Sequence, residues 1–155
     1  MYRYHILIEY VGTNFVGWQT QSQGKSIQKL IQTKISKLLK EKILLIGSGR
    51  TDSGVHAIEQ SAHFECKKEI QNLDKFLRSV NHFVNDMNVS IINIKKRNNN
   101  FHARFSAKQR IYKYIIFNRL SRPSIEKGRG WHIIKELDIL LMKKGAKNFW
   151  GLKIF

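Results

Sequence analysis

Apolar and polar positions alternate from the start of the chain. Over residues 2–11, Tyr2, Tyr4, Ile6, Ile8 and Tyr10 fall on one face and Arg3, His5, Leu7, Glu9 and Val11 on the other, the period of a half-buried strand. After a glycine-containing loop the period lengthens. Ile27, Leu30, Ile31, Leu38 and Leu39 recur at helical spacing behind Ser26, a residue type that caps helices. Lys29, Lys34, Lys37 and Lys40 take other positions, so the outward face of this helix is basic. Residues 43–46 read as a short apolar strand, and Ile58, Ala62, Phe64 and Cys66 share one face of a further alternating run. Asn72 opens a second predicted helix, with Leu73, Phe76, Leu77, Val80, Phe83 and Val84 on one stripe, and residues 89–94 read as strand.

The predicted order is βαββαβ, an α+β arrangement of the ferredoxin-like kind. Two helices cover one face of an antiparallel sheet and leave the other free for a ligand. A polar connector, RNNN at 97–100, looks like a junction, and residues 108–117, KQRIYKYIIF, form a fifth alternating segment beyond it. Something further begins there that the remaining length does not finish.

Charge narrows the partner. Lysine and arginine number 28 against 11 acids, a formal net charge of +17 in 155 residues, far more than solubility needs. A polyanion is expected. No apolar run approaches the roughly 18 residues of a spanning helix, and the start alternates instead of showing a signal peptide's continuous apolar region. A single cysteine, Cys66, excludes an internal disulfide and the usual zinc spacings. The expectation is a cytoplasmic protein with Cys66 in its core, and a basic molecule with an open sheet face suggests RNA as the ligand.

The chemistry gathers in GSGRTDSGVHA, residues 47–57, a loop between two predicted strands. Asp52 in this glycine-flanked turn has two readings: a carboxylate that hydrogen-bonds nearby amides, or a nucleophile or base. Arg50 could pair with it or bind phosphate. His56 and His63 read as packing or hydrogen-bonding groups, since no cluster with ligand spacing surrounds them, and no metal is expected. In GTNFVGWQTQSQGKS, Phe15 and Trp18 either stack on unpaired bases or tuck under the loop and pin it. In FHARFSAKQRIYKYII, Tyr112 and Tyr114 share a strand face beside Arg104, Lys108, Arg110 and Lys113, a pattern open to base stacking or to core packing.

Three stretches, EYVGTNFVGWQTQ, GSGRTDSGVHA and NNFHARFSAKQRIYKYII, occur in the order and spacing of one family. Over roughly residues 3–118 the chain resembles the tRNA pseudouridine synthases of the TruA type. The resemblance implies isomerisation of uridine to pseudouridine at positions 38, 39 and 40 of the tRNA anticodon stem-loop, without metal or organic cofactor. It implies Asp52 as the essential catalyst, Arg50 as a group that positions or displaces the target nucleotide, and Tyr112 as the ring that stacks on the uracil. Tyr114 is assigned to the core, and Phe15, Trp18, Arg104 and Arg110 to RNA contact. The family acts as a homodimer of subunits with two ferredoxin-like halves. Residues 1–100 then correspond to the first half with the catalytic loop, and 101–155 to the opening of the second. Residues 101–118 would supply its first strand, Trp131 and His132 would match its landmark, and residues 135–149 would be its helix.

The chain departs from the family in length. Members run to roughly 250 residues, two domains of ordinary size, and after WGLKIF this sequence stops at 155. A C-terminally truncated member is expected, by a shift of frame or an early stop, lacking an arginine that pairs with the catalytic aspartate. Ile111, Ile115, Phe117, Leu137, Leu140 and Leu141 would then face nothing. Asn85 stands where the family commonly has proline. Two other readings stay in view. One is an RNA-binding module of the RRM kind, which VHAIEQSAHFEC fits poorly for want of the aromatic-rich motif. The other is an inactive remnant that still binds tRNA.

Overall fold

The computed structural model describes residues 1–151, in two compact units, Met1–Arg110 and Ile111–Phe155. In the first unit the elements follow the expected order: β1 (Tyr2–Tyr10), α1 (Ile27–Leu39), β2 (Ile46–Gly47), β3 (Ala57–Cys66), α2 (Leu73–Val84) and β4 (Val89–Arg97). The strands form one antiparallel sheet in the order β2-β3-β1-β4, the ferredoxin-like arrangement. Ile6 on the central strand pairs with Ala62 on one side and Ile94 on the other.

The period of each segment accounts for the core. Alternation along β1 sends Tyr4, Ile6, Ile8 and Tyr10 to one face, where they are buried with Phe64 and Cys66 of β3 and with Ile27, Ile31, Ile35, Phe76, Val80 and Val84 of the helices. Both expected caps are present: Ser26 Oγ accepts from the Lys29 N–H and Asn72 Oδ1 from the Lys75 N–H, each satisfying a donor that a helix leaves unpaired. Cys66 is buried, and burial pushes its thiol up to about 11.

Two expectations in this sheet need correction. Of residues 43–46 only Ile46 lies in β2, because α1 takes the place of a strand partner. The Ile43 and Leu45 N–H groups donate to Ser36 Oγ and Gln32 Oε1, and the Leu45 carbonyl accepts from Gln28 Nε2. Ile43 and Leu45 are still buried. Ile58 does not share the inward face of Ala62, Phe64 and Cys66; it is 69% exposed. The register jumps from Ile8↔Gln60 to Tyr10↔Ala57, and this extra residue turns Ile58 over.

The second sheet face is not wholly free for a ligand. Residues 99–106 run across part of it, where the Phe101 ring lies 4.7 Å from His5 and 6.1 Å from His63. Arg3 ties this strap down, donating to the Asn99 and Phe101 carbonyls while paired with Glu65 at 2.6 Å. Beneath it His63 is 2% exposed, and its Nδ1 accepts the Ala103 N–H at 3.1 Å. Burial first, and then the neighbouring His102 and Arg3, lower the His63 pKa from 6.5 to about 4.

In the second unit, β5 (Ile116–Asn118) pairs parallel with β6 (Trp131–Ile133), and α3 spans Ile139–Ala146 before a 3₁₀ turn at Lys147–Phe149. The strand expected over 101–118 is reduced to β5, since only those three residues find a partner among the described residues. The expected helix over 135–149 starts late. Asn118 holds the chain before it extended, donating to the Ile133 and Lys135 carbonyls and accepting the Leu137 N–H. Asp138 then caps α3 through the Leu141 N–H. Ile111, Ile115, Leu140 and Leu141 are exposed, as expected, and so is Tyr114, which the sequence assigned to the core. No helix among the described residues is long and apolar enough to cross a membrane.

Candidate active site

The loop from Ser48 to His56 leaves the short strand β2 and returns as β3, so sheet register anchors its two ends. The Ser48 N–H donates to the Ser61 carbonyl, and Gln60 Nε2 reaches the Gly49 carbonyl, both at 2.7 Å. The middle is held by residues 12–18. Trp18 N–H donates to the Thr51 carbonyl at 2.9 Å, and Ser53 Oγ and the Gly54 N–H both donate to the Phe15 carbonyl. Gly12 N–H donates to His56 Nδ1 at 3.1 Å. From below, the buried Tyr10 hydroxyl meets Thr51 Oγ1 at 2.8 Å. Burial raises the pKa of that phenol, so it stays protonated and able to hydrogen-bond at neutral pH.

These contacts depend on two glycines. A Cβ on Gly12 would stand 2.0 Å from the Val55 carbonyl oxygen, and one on Gly17 would stand 2.6 Å from the Thr51 carbonyl oxygen, at a φ of 113° that side chains rarely adopt. The two loops are pressed together backbone to backbone. Phe15 and Trp18 complete the clamp at 5% and 2% exposure. Their rings are therefore not displayed for stacking on bases: they pin the loop, the second of the two readings the sequence left open.

Asp52 stands at the crest. Its side chain is exposed, and among the described residues it takes part in no hydrogen bond or ion pair. The reading of Asp52 as a turn-stabilising carboxylate finds no support in this geometry, because backbone groups and the side chains of Tyr10, Ser53 and His56 hold the turn instead. Arg50 is likewise exposed and makes no ion pair with Asp52. Arg110 is placed against the same loop, donating through Nη2 to the Ser48 carbonyl at 2.8 Å. Arg104 is exposed on the strap, and Tyr112 lies in the second unit, 67% exposed. Among the described residues no three His, Cys, Asp or Glu side chains converge as metal ligands.

Sequence reasoning missed Tyr10, Thr51 and Gly12 as loop-holding groups. Tyr10 looked like any inward strand residue, and only its position at the end of β1, next to the loop, marks its hydroxyl for another task.

A profile of the tRNA pseudouridine synthase family matches residues 6–106, a range that runs from the middle of β1 through both pressed loops to the end of the strap. The whole chain is 75% identical to a tRNA pseudouridine synthase A of Pelagibacter ubique (strain HTCC1062) and covers 63% of that protein. Over 150 residues, 96% of the chain, it is 40% identical to a tRNA pseudouridine synthase A of Wolbachia pipientis wMel, covering 61% of it. The chain thus spans less than two thirds of the length of these relatives. By the extent of the profile match and of these identities, it belongs to the tRNA pseudouridine synthase family.

Proposed function

We propose that this chain holds the uridine-isomerising site of a tRNA pseudouridine synthase acting at positions 38, 39 and 40 of the anticodon stem-loop, with Asp52 as its catalyst. The observation behind this reading is the display of one carboxylate, free of internal partners among the described residues, on a loop whose backbone is fixed at both ends and in the middle. The reaction breaks the N1–C1′ bond of uridine and forms a C5–C1′ bond, with a proton lost from C5 and one gained at N1. It consumes no redox equivalent and no second substrate. The target nucleotide has to leave its stack to reach such a carboxylate. Asp52 then either attacks C1′ as a nucleophile or removes a ribose proton to release the base. A fixed turn suits both routes, because the reacting oxygen has to be held within about 0.5 Å of its productive position.

In this reading Arg50 and Arg110 meet the backbone of the displaced nucleotide, Arg104 extends that contact, and Tyr112 stacks on the uracil. Residues 1–100 are the first half and residues 101–155 the opening of the second. The setting is cytoplasmic, the assembly a homodimer, and no cofactor is needed.

Incubating the purified chain with unmodified tRNA and mapping pseudouridine by mass spectrometry tests the reading. Product at 38–40 is the expected result. Tight tRNA binding with no product would support the alternative, an RNA-binding chain without activity.

A further inference from the structure

The outward side of α1 is basic without compensation. Residues 25–42 hold Lys25, Lys29, Lys34, Lys37, Lys40 and Lys42 against one acid, Glu41, and Glu41 is occupied by the Lys67 N–H at 2.9 Å. The ion pairs among the described residues are Arg3–Glu65, Lys96–Glu69 and Arg129–Glu126, none of them on α1. Lys29, Thr33 and Lys37 are exposed, and at 100° per residue they fall on one narrow stripe opposite the buried Ile27, Ile31 and Ile35; Lys40, also exposed, follows the last helical residue as its C-cap, at a left-handed φ of 52°.

Position gives the stripe its meaning. The first turn of α1 is tied to the segment that grips the Asp52 loop: Ile27 N–H donates to the Gly17 carbonyl and Gln28 N–H to the Trp18 carbonyl. From Gln28 to its last residue, Leu39, the helix rises about 16 Å, a length over which a nucleic-acid strand presents several phosphates. Lys34 continues the charge sideways, lying 5.7 Å from the Phe83 ring of α2, beside exposed Arg78 and Lys75.

We propose that the Lys29–Lys37–Lys40 stripe is a docking surface for the sugar–phosphate backbone of RNA, leading away from the Asp52 loop. The inference rests on the proposed function for its choice of RNA. Shape supports that choice over a membrane, since a helix that binds lipid inserts an apolar face and that of α1 is spent in the core.

The test is fluorescence anisotropy of labelled unmodified tRNA with the whole chain, across a salt series, comparing the wild type, the triple variant Lys29→Gln/Lys37→Gln/Lys40→Gln, and Arg50→Gln. The triple variant is expected to bind about tenfold more weakly at low salt. The slope of log affinity against log salt should shrink by about 2 to 3, one phosphate contact per lysine, equally for an unrelated RNA. Affinity within about twofold of the wild type and an unchanged slope would overturn the stripe while leaving the Asp52 reading intact. No binding of tRNA by the wild type would overturn both. Lysine-dependent binding to phosphatidylserine vesicles with none to RNA would overturn the choice of partner. Normal tRNA binding that depends on the stripe, with no pseudouridine formed, would sustain the stripe and count against the catalytic reading alone.

Discussion

In the proposed reading, Asp52 and the residues that hold its loop divide the labour between chemistry and geometry. The Asp52 side chain makes no hydrogen bond or ion pair among the described residues, so its replacement should leave stability within about 0.5 kcal/mol. Tyr10 is the opposite case. Tyr10→Phe removes one buried hydrogen bond to Thr51 and should cost about 1 kcal/mol in chemical denaturation; an unchanged midpoint would show that the contact adds nothing. His63 sets a pH limit. The folded ring stays neutral down to about pH 4, whereas an unfolded ring takes up a proton near 6.5. The unfolded chain therefore binds more protons in this window, and stability falls as pH drops from about 6.5 to 4, by up to roughly 3 kcal/mol. The urea midpoint of His63→Asn, whose amide oxygen takes the place of Nδ1 and still accepts from Ala103, should decline less over that range than the wild type's. Parallel declines would place the acid sensitivity elsewhere. Asp52 and Arg50 were legible as candidates because a glycine-rich loop rarely holds so many reactive groups, and His56 as a hydrogen-bonding group. Their supports were not, since a hydrogen bond between residues 10 and 51 leaves no periodic trace.

The elements were legible where one face of a segment decides its fate. β1, α1, α2 and β4 each show one clean period, and each formed near its expected bounds, α1 and α2 with their expected caps. Legibility ended where pairing depends on a distant partner. Residues 108–117 alternate as well as β1 does, yet only the last two of them join β5, because alternation states a preference and a strand also needs a neighbour. The extra residue in β3 that exposes Ile58 is a matter of register and does not change the alternation. Trp18 was ambiguous for another reason: an aromatic in a polar loop looks the same whether it faces solvent or the core. Its 2% exposure predicts that Trp18→Ala destabilises by about 3–5 kcal/mol and loosens the Asp52 loop. Hydrogen exchange at Thr51–Val55 that matches the wild type would show that Trp18 is no part of the clamp.

For the whole molecule, the first unit has the attributes of an independent fold: a four-stranded sheet, two capped helices, a continuous core and a strap across part of the far face. A fragment ending at Arg110 should melt cooperatively. One ending at Arg97 should melt lower, because it strips the cover from His63 and leaves the Arg3–Glu65 pair in water; equal melting temperatures would deny the strap a structural role. The polar RNNN connector suggested a junction at 97–100, but packing carries the first unit on to Arg110, since half-buried Phe101 and buried Ala103 pack against β1 and β3 residues. No composition shift at 97–100 could show that.

The central claim is that Asp52 performs the chemistry on a turn that others hold still. Single-turnover pseudouridine formation on unmodified tRNA, comparing the wild type with Asp52→Asn, tests it most directly. The account predicts product from the wild type, and from the variant a rate at least about a thousandfold lower with tRNA affinity within about threefold, since the amide keeps the shape and loses the nucleophile or base. An Asp52→Asn rate within tenfold of the wild type, or no product from either protein, would contradict it.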